Sequence, residues 1–410
     1  LKTLLIIGHT IPEPATTAAG GRMMQLIKLF SQNEYTIVFA STASISERSV
    51  NLDILGITYE AIQLNDPSFD VFISTLNPSV VLFDRFITEE QFGWRVAEHC
   101  PNALRILDTE DLHFLRKARA KAVKQGIPVS EADLYTDIAK RELASIFRCD
   151  VSLIISEFEI ELLQKTFQVP FGILFYLPLL LDELTEDFIE QLPPFEARID
   201  FMTIGNFLHA PNVDAVLELK NKIWPLIKRE LPQATLQVFG AYAPQQIREL
   251  NNKKEGFLLK GWAEDAGHVF QSARVCLAPL RFGAGLKGKL LDAMQYGTPS
   301  VTTTVGAEGM CGIFPFNGSI KDEPYDFASE AIQLYTEKSK WIRAQKNGFD
   351  LIEKRFQKQL FSEKFIKKVI WLQGNLGAHR NSFFLGQVFQ HHTLKSSKYL
   401  SRWIEAKNGR

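Results

Sequence analysis

The chain has 410 residues, too many for one ordinary hydrophobic core, so its length favours two domains. Hydrophobic residues at 46% and charged residues at 23% are those of a globular protein, and a net charge of -1 speaks against a nucleic-acid partner, which needs a basic face. Four cysteines (Cys100, Cys149, Cys276, Cys311) lie far apart with no CxxC pair, which fits a reduced compartment without structural zinc. No apolar run approaches the roughly 18 residues of a transmembrane helix. No basic leader with a cleavage site precedes the first apolar run, and the expected location is cytoplasmic.

Lys2 to Gly8 reads as a first strand, KTLLIIG, leading through a proline-marked loop into Ala18-Ala19-Gly20-Gly21-Arg22. Met23, Leu26, Ile27, Leu29 and Phe30 follow at helical spacing, and Tyr35 to Ala40 is the next strand. This strand–helix–strand order predicts a parallel sheet. Further strands are predicted at Tyr59–Ile62, Val80–Phe83 and Leu104–Leu107, with helices near Phe69–Leu76 and Glu89–Cys100. A helical region from about Leu112 to Phe147 breaks at Gly126-Ile127-Pro128. Val151–Ser156 and Glu157–Phe167 add a strand and a short helix. Residues 1–184 read as one α/β domain.

Leu177-Pro178, an acidic patch from Asp182 to Glu190, and Pro193-Pro194 mark a boundary. Beyond it come a strand (Ile199–Ile204), the loop Gly205-Asn206 to Asn212, a helix (Val213–Arg229), a strand (Ala234–Gly240), a helix (Pro244–Asn251) and the run Gly256–Gly261. The stretch 274–310 is the most informative. An apolar strand, Val275 to Leu280, enters a loop with Gly283 and Gly285; Leu286, Leu290, Ala293 and Met294 then share one helix face, and Gly297 with Pro299 stops that helix. Val301 to Val305 reads as the following strand. Helices at Tyr325–Thr336 and Ser339–Lys368 complete a second α/β domain, residues 185–375, of the kind that binds ligands at the carboxyl ends of its strands. The tail, 376–410, is too rich in aromatics for disorder. It is read as docked on the body, with contact at a membrane surface as the alternative.

Several residues carry candidate chemistry beside an ordinary reading. Gly283 and Gly285 allow a tight turn, but a glycine loop ahead of a helix also aims backbone N–H groups and a positive dipole end at a phosphate. Arg281 and Lys287 are surface charges or diphosphate ligands. Lys289 and Asp292, at i and i+3, are a helix-surface pair or ligands of diphosphate and ribose. Gly205 and Asn206 form a capped βα turn or part of the same site. In Asp108-Thr109-Glu110-Asp111-Leu112-His113-Phe114-Leu115-Arg116, at a strand's carboxyl end, Asp108, Asp111 and His113 suit hydroxyl recognition, and the plain alternative is a helix cap. Arg116 suits an acceptor phosphate or the helix surface, and Glu308 a donor sugar or a polar turn. No acid cluster has metal-ligand spacing, so no metal or other cofactor is expected.

The segment from Pro279 to Gly309 resembles the signature of group 1, family-4-type glycosyltransferases: strand, small-residue loop, a helix ending in Asp292-Ala293-Met294 with Gly297 and Pro299, then a β-branched run. Gly205-Asn206 followed by Pro211-Asn212-Val213-Asp214-Ala215 looks like the first loop of the donor domain in one branch of that group. Gly20-Gly21-Arg22 looks like the glycine loop after the first strand of the acceptor domain. The resemblance implies a GT-B fold, two tandem Rossmann-like domains facing a cleft. It implies transfer of a sugar from a nucleotide-diphosphate sugar to a hydroxyl of a glycan or lipid-linked acceptor, with retention of configuration, in surface polysaccharide or glycan synthesis. Family members commonly carry Glu-x7-Glu here, the second acid holding the ribose hydroxyls and the first touching the donor sugar. This chain has Ala284 and Asp292 at those positions. Many members also place Arg and Lys in the loop after the first donor-domain strand, where this chain has Asn206 and His209. The expectation is that Arg281, Lys287 and Lys289 supply the missing charge. Two alternatives are a sugar-nucleotide epimerase on the same architecture and a catalytically inactive sugar-nucleotide-binding protein, the latter favoured by Ala284.

Overall fold

Aliphatic and β-branched runs form two all-parallel sheets of seven and six strands in the computed structural model, which describes residues 2–391 together with Ser396, Tyr399, Trp403 and Lys407. The first sheet contains β1 (Lys2–Gly8), β2 (Tyr35–Ser41), β3 (Thr58–Ala61), β4 (Val80–Asp84), β5 (Leu104–Asp108), β6 (Val151–Ile154) and β7 (Leu174–Tyr176), ordered β3-β2-β1-β4-β5-β6-β7. The second contains β8 (Ile199–Ile204), β9 (Leu236–Phe239), β10 (Phe257–Gly261), β11 (Ala273–Ala278), β12 (Ser300–Thr302) and β13 (Gly318–Ile320), ordered β10-β9-β8-β11-β12-β13. Helices cover both faces of each sheet, which is why the run Leu4 to Ile7 of β1 is continuously apolar and wholly buried. Strand order reverses between β1 and β4 and again between β8 and β11. At such points the following loops leave opposite faces of the sheet and open a crevice at the strands' carboxyl ends.

The chain passes between the domains twice, and the crossings lie side by side. The Leu181 N–H donates to the Phe356 carbonyl at 2.8 Å, and the Lys358 N–H donates to the Leu181 carbonyl at 2.8 Å. Ile155 and Leu179 also share an apolar cluster with Leu286, Leu290, Leu291 and Met310.

Five elements differ from the sequence expectation. The run Val301–Val305 is strand only to Thr302. The Thr303 hydroxyl accepts from the Gly306 N–H at 3.0 Å and caps a short helix, Thr304–Ala307, so a capping bond overrides β-branched propensity. The expected helix Ser339–Lys368 is two: Lys338–Leu351 runs into a π turn, Ile352–Phe356, and after the crossing a new helix, Ser362–Gly374, begins. Phe365, Ile366, Val369 and Leu372 of that helix are buried with Phe30, Leu104 and Val151 of the first domain, which corrects their assignment to the second domain. The helix after β8 starts at Ala210 and carries its own π turn at Leu219–Ile223. Strands β7 and β13, three residues each, went unpredicted because periodicity cannot show in so short a run.

Two further helices, Leu376–Ser382 and Phe384–His391, lie on the first domain. Arg380 pairs with Asp150 at 2.7 Å, and the rings of Phe147 and Phe389 stand 5.4 Å apart. Apart from the four positions named above, the tail beyond His391 lies outside the described residues. No helix among the described residues is long and apolar enough to cross a membrane.

Candidate active site

Loops after β1, β4, β5, β8 and β11 line one cleft of about 650 Å³ between the domains. Two helices begin at its wall, Ala18–Ser31 of the first domain and Gly288–Gln295 of the second. Their starts touch: a Cβ added to Gly288 would stand 2.9 Å from the Ala18 Cβ. The first amides of a helix have no intrahelical partner, and Lys287 at the cap position gives the second helix no side-chain cap. Two positive helix ends therefore face the same space.

Lys289 and Asp292 both line this space. The Lys289 ammonium donates to Asn212 Oδ1 at 2.8 Å; Asn212 Nδ2 donates to the Asn206 carbonyl at 2.8 Å; Asn206 Oδ1 accepts from the Leu208 N–H at 2.8 Å. The loop that opens at Gly205 is thereby tied to the helix start. Burial lowers the Lys289 pKa to about 8. It raises the Asp292 carboxyl to about 7, and that carboxyl has no hydrogen-bond or ion-pair partner among the described residues. The ordinary surface pair between Lys289 and Asp292 does not form.

Other expected donor ligands are turned elsewhere. Arg281 Nε donates to Asp214 Oδ2 at 2.9 Å, its second nitrogen pairs with Asp214 Oδ1, and Glu218 lies 3.7 Å away. The residue stands on the outer helix surface and does not line the cleft. Arg281→Ala should therefore leave nucleoside-diphosphate affinity within about twofold by calorimetry; a tenfold loss would return the guanidinium to the cleft. Lys287 lines the cleft, but its ammonium folds back to donate to the carbonyls of Ala284 at 3.2 Å and Gly285 at 2.6 Å. Burial lowers its pKa, with Glu308 and Glu159 opposing.

Gly285 adopts φ +62°, and a Cβ there would stand 2.9 Å from both Asp111 Cβ and Ile155 Cδ1. Its N–H donates at 2.9 Å to Glu159 Oε1, which also accepts from the Leu112 N–H at 2.9 Å, so this amide is already occupied by a first-domain carboxyl. Glu308 is held by Arg119 through two bonds of 2.7 Å, and Arg119 also donates to the Gly283 carbonyl at 3.0 Å. Gly285 and Glu308 thus fasten the domains together and stand outside the cleft lining, whereas Gly283 remains in it.

On the first-domain side, Asp108 is wholly buried and its two oxygens accept from Arg22 Nε at 2.9 and 3.0 Å. Arg22 also donates to the carbonyls of Leu177 at 2.8 Å and Pro178 at 3.2 Å. The Asp108 carboxylate is spent on this pair and stands outside the cleft lining, which corrects its catalytic reading, whereas Arg22 still borders the cleft. Gly20 is buried with its N–H on the Thr17 hydroxyl at 2.9 Å, while Gly21 borders the cleft. Asp111, His113 and Arg116 do line the cleft. Asp111 pairs with Arg116 at 2.9 Å and meets His113 Nε2 at 3.4 Å. Burial pushes the Asp111 carboxyl up, but Arg116 and His113 outweigh it and hold the pKa below the usual range. Burial takes His113 down to about 3, so the imidazole is neutral at physiological pH. The buried Glu142 carboxyl accepts from the N–H groups of His113 and Phe114 at 3.1 and 2.9 Å and caps their helix.

Several cleft residues escaped the sequence reading, Arg85, Glu110, Lys117 and Glu264 among them. Arg85 and Glu110, directly after and two residues after the ends of β4 and β5, adopt φ +71° and +64°. The one signal was position: each follows an apolar strand, and Glu110 stands between two acids already singled out.

Residues 198–337 match the family model described as Glycosyl transferases group 1. No curated protein matches the sequence. Among solved structures, a sucrose-phosphate synthase from Thermosynechococcus elongatus superposes with a TM-score of 0.68 at 13% identity, covering 91% of this chain and 99% of that one. A pneumococcal O-GlcNAc transferase, GtfA, solved with UDP and GlcNAc, gives 0.67 at 14% identity, covering 90% and 99%. WaaG, a glycosyltransferase involved in lipopolysaccharide biosynthesis, gives 0.60 at 13% identity, covering 88% and 98%. The shared architecture is GT-B.

Proposed function

We propose that this chain, a group 1 glycosyltransferase by its matched segment and GT-B fold, moves a sugar from a nucleotide-diphosphate sugar to an acceptor hydroxyl. The observation that carries the reading is Asp292: an unpartnered carboxyl facing the cleft, one turn along a helix that begins with uncapped amides and Lys289. A nucleoside diphosphate matches that arrangement, with its diphosphate at the helix start and its ribose hydroxyls on the acid. Breaking the bond at the anomeric carbon leaves negative charge on the diphosphate. The Gly288 and Lys289 amides and the Lys289 ammonium meet that charge as it grows, and no metal is assigned to the task.

Retention of configuration, by front-face attack within the donor–acceptor ion pair, is part of the proposal. The fastenings Arg119–Glu308 and Glu159–Gly285 keep the domains together around the donor and limit access of water. UDP in the GtfA structure and the role of WaaG support a uridine donor and a surface glycan or lipid-linked acceptor. A cytoplasmic protein with peripheral membrane contact fits the exposed apolar side chains of Phe384, Leu385 and Val388. The matched family and the two named transferases do not favour an epimerase or an inactive binding protein.

A thermal-shift screen against uridine, guanosine and adenosine diphosphate sugars fixes the donor, and product analysis with an acceptor panel tests transfer. Release of nucleoside diphosphate with a glycosylated acceptor is expected; tight donor binding without turnover across the panel would favour a binding protein. Asp292→Asn should weaken nucleoside-diphosphate binding about 10- to 100-fold, the worth of charge-assisted hydrogen bonds. The parent should lose similar affinity for the 2′-deoxy nucleotide, and the variant should lose little more. Additive losses would remove ribose from Asp292.

A further inference from the structure

Buried groups pin the cleft on one side. Arg119–Glu308 and Glu159–Gly285 join elements beyond β5 and β6 to elements beyond β11 and β12, which share one side of the strand-order reversals in the two sheets. On the other side a separate contact closes it, between segments that follow β1 and β2 in the first domain and β9 and β10 in the second. The Arg48 guanidinium lies against two second-domain rings, 4.7 Å from the centre of Tyr242 and 5.1 Å from that of Trp262. Trp262 Nε1 donates to the Ala15 carbonyl at 3.3 Å, and the Tyr242 hydroxyl donates to Glu13 Oε2 at 3.1 Å. Glu13 also accepts from the hydroxyls of Thr16 and Ser46, so one carboxylate gathers both first-domain loops.

The two sides differ in how readily they part. Tyr242 and Trp262 are 38% and 40% exposed, so water replaces their partners as the contact opens. Separating Arg119 from Glu308 instead strands two mostly buried charges. The exposed contact also reaches the donor loops. Ala15 and Thr16 line the cleft, and the Phe207 N–H donates to the Ala241 carbonyl at 3.1 Å, tying the Tyr242 loop to the one that carries Asn206. Tyr242 holds left-handed backbone, φ +59°, which a non-glycine residue keeps only where its surroundings enforce it.

We infer that Arg48, Tyr242, Trp262 and Glu13 form a releasable clasp: the cleft opens on this side while the Arg119–Glu308 side stays joined, and breaking the clasp sets the rate at which nucleoside diphosphate leaves. The release role rests on the proposed transfer reaction; the opening does not. Arg48 and Trp262 stand outside the cleft lining, so their effect on a nucleotide passes through the arrangement of the domains.

The test compares the full chain with R48A, W262A, their double variant and the milder R48K. One readout is the dissociation rate of uridine, guanosine and adenosine diphosphate. The other is the distance between spin labels at D53C and K253C, exposed positions on the two domains, in a C311S background because the other three cysteines are buried. Release should quicken at least about fivefold in R48A and in W262A, with the double variant little beyond either, since both break one contact. R48K should fall between, because an ammonium keeps the charge but not the planar stacking. The labels should move apart in the empty variants. Unchanged release in both single variants would overturn the inference, as would labels that separate without faster release. Faster release at the parent's label distance would also overturn it and make Arg48 and Trp262 direct nucleotide contacts. A parent that binds none of the three diphosphates sinks the transferase reading and the release role, whereas unchanged label distances sink the clasp alone.

Discussion

Asp108→Asn is expected to destabilise the first domain by about 3–5 kcal/mol, because removing one partner strands the other as an uncompensated buried charge. Arg22 is 1% exposed and Asp108 wholly buried, so water cannot replace the lost carboxylate. The damage reaches further than the pair. Arg22 also donates to the Leu177 and Pro178 carbonyls, where the chain leaves the first domain, so a displaced guanidinium gives up these two bonds as well. Thermal unfolding should show the first domain's midpoint falling by on the order of 10 °C. Turnover per folded molecule should stay near the parent's. Replacing both partners, as in Arg22→Met with Asp108→Leu, should recover part of the loss, since an apolar pair of similar volume leaves no orphaned charge. An Asp108→Asn protein as stable as the parent, yet catalytically dead, would give the carboxylate back to the substrate.

The mistaken role for Asp108 shows which kind of information a sequence lacks. An acid at the end of an apolar strand, ahead of a helix, is legible as a cleft candidate, because both faces of a parallel sheet are buried and only the loop can carry polar chemistry. Whether that acid is spent is decided by Arg22, which is 86 positions away along the chain. Arg281 is the same case: its place beside the glycine loop was visible, but Asp214, 67 positions away, takes the guanidinium. Gly285 shows a subtler limit. The glycine was read as part of a phosphate cradle, with a tight turn as the plain alternative; the turn is there, but the amide meant for phosphate is taken by Glu159, 126 positions away, a partner no local pattern could name. The helix Ser362–Gly374 has the apolar spacing of a packed helix, and spacing names a buried face without naming the sheet that buries it. What was legible best was what local chemistry determines alone: the GT-B succession of strands and helices, the turn at Gly297 and Pro299, and a glycine loop ahead of a helix. Arg85 and Glu110 were illegible for the converse reason, since left-handed backbone normally announces itself through Gly or Asn.

Lys289→Ala is expected to reduce turnover about 10²- to 10³-fold, the cost of removing one preorganised donor from charge that develops in the transition state. The cleft cations are not equivalent. Arg116 is spent on Asp111, Arg85 stands among four acids, and Lys287 is folded onto its own loop carbonyls. Lys289 rests on a neutral amide oxygen of Asn212, a partner that a phosphate oxygen can displace without breaking an ion pair. Its depressed pKa gives the assignment a second readout. With a value of about 8 in the free protein, the ammonium is present below that pH and lost above it. A bound diphosphate favours the protonated form, so kcat/KM for the donor should fall by up to about tenfold per pH unit above pH 8, while protonation of Asp292, raised to about 7, sets a separate acid limb. Lys289→Arg keeps a positive charge that does not titrate in this range, and should retain part of the activity while losing the alkaline fall. Should the fall persist unchanged in Lys289→Arg, it belongs to another group. The developing diphosphate charge would then have to be met by the helix amides without this side chain.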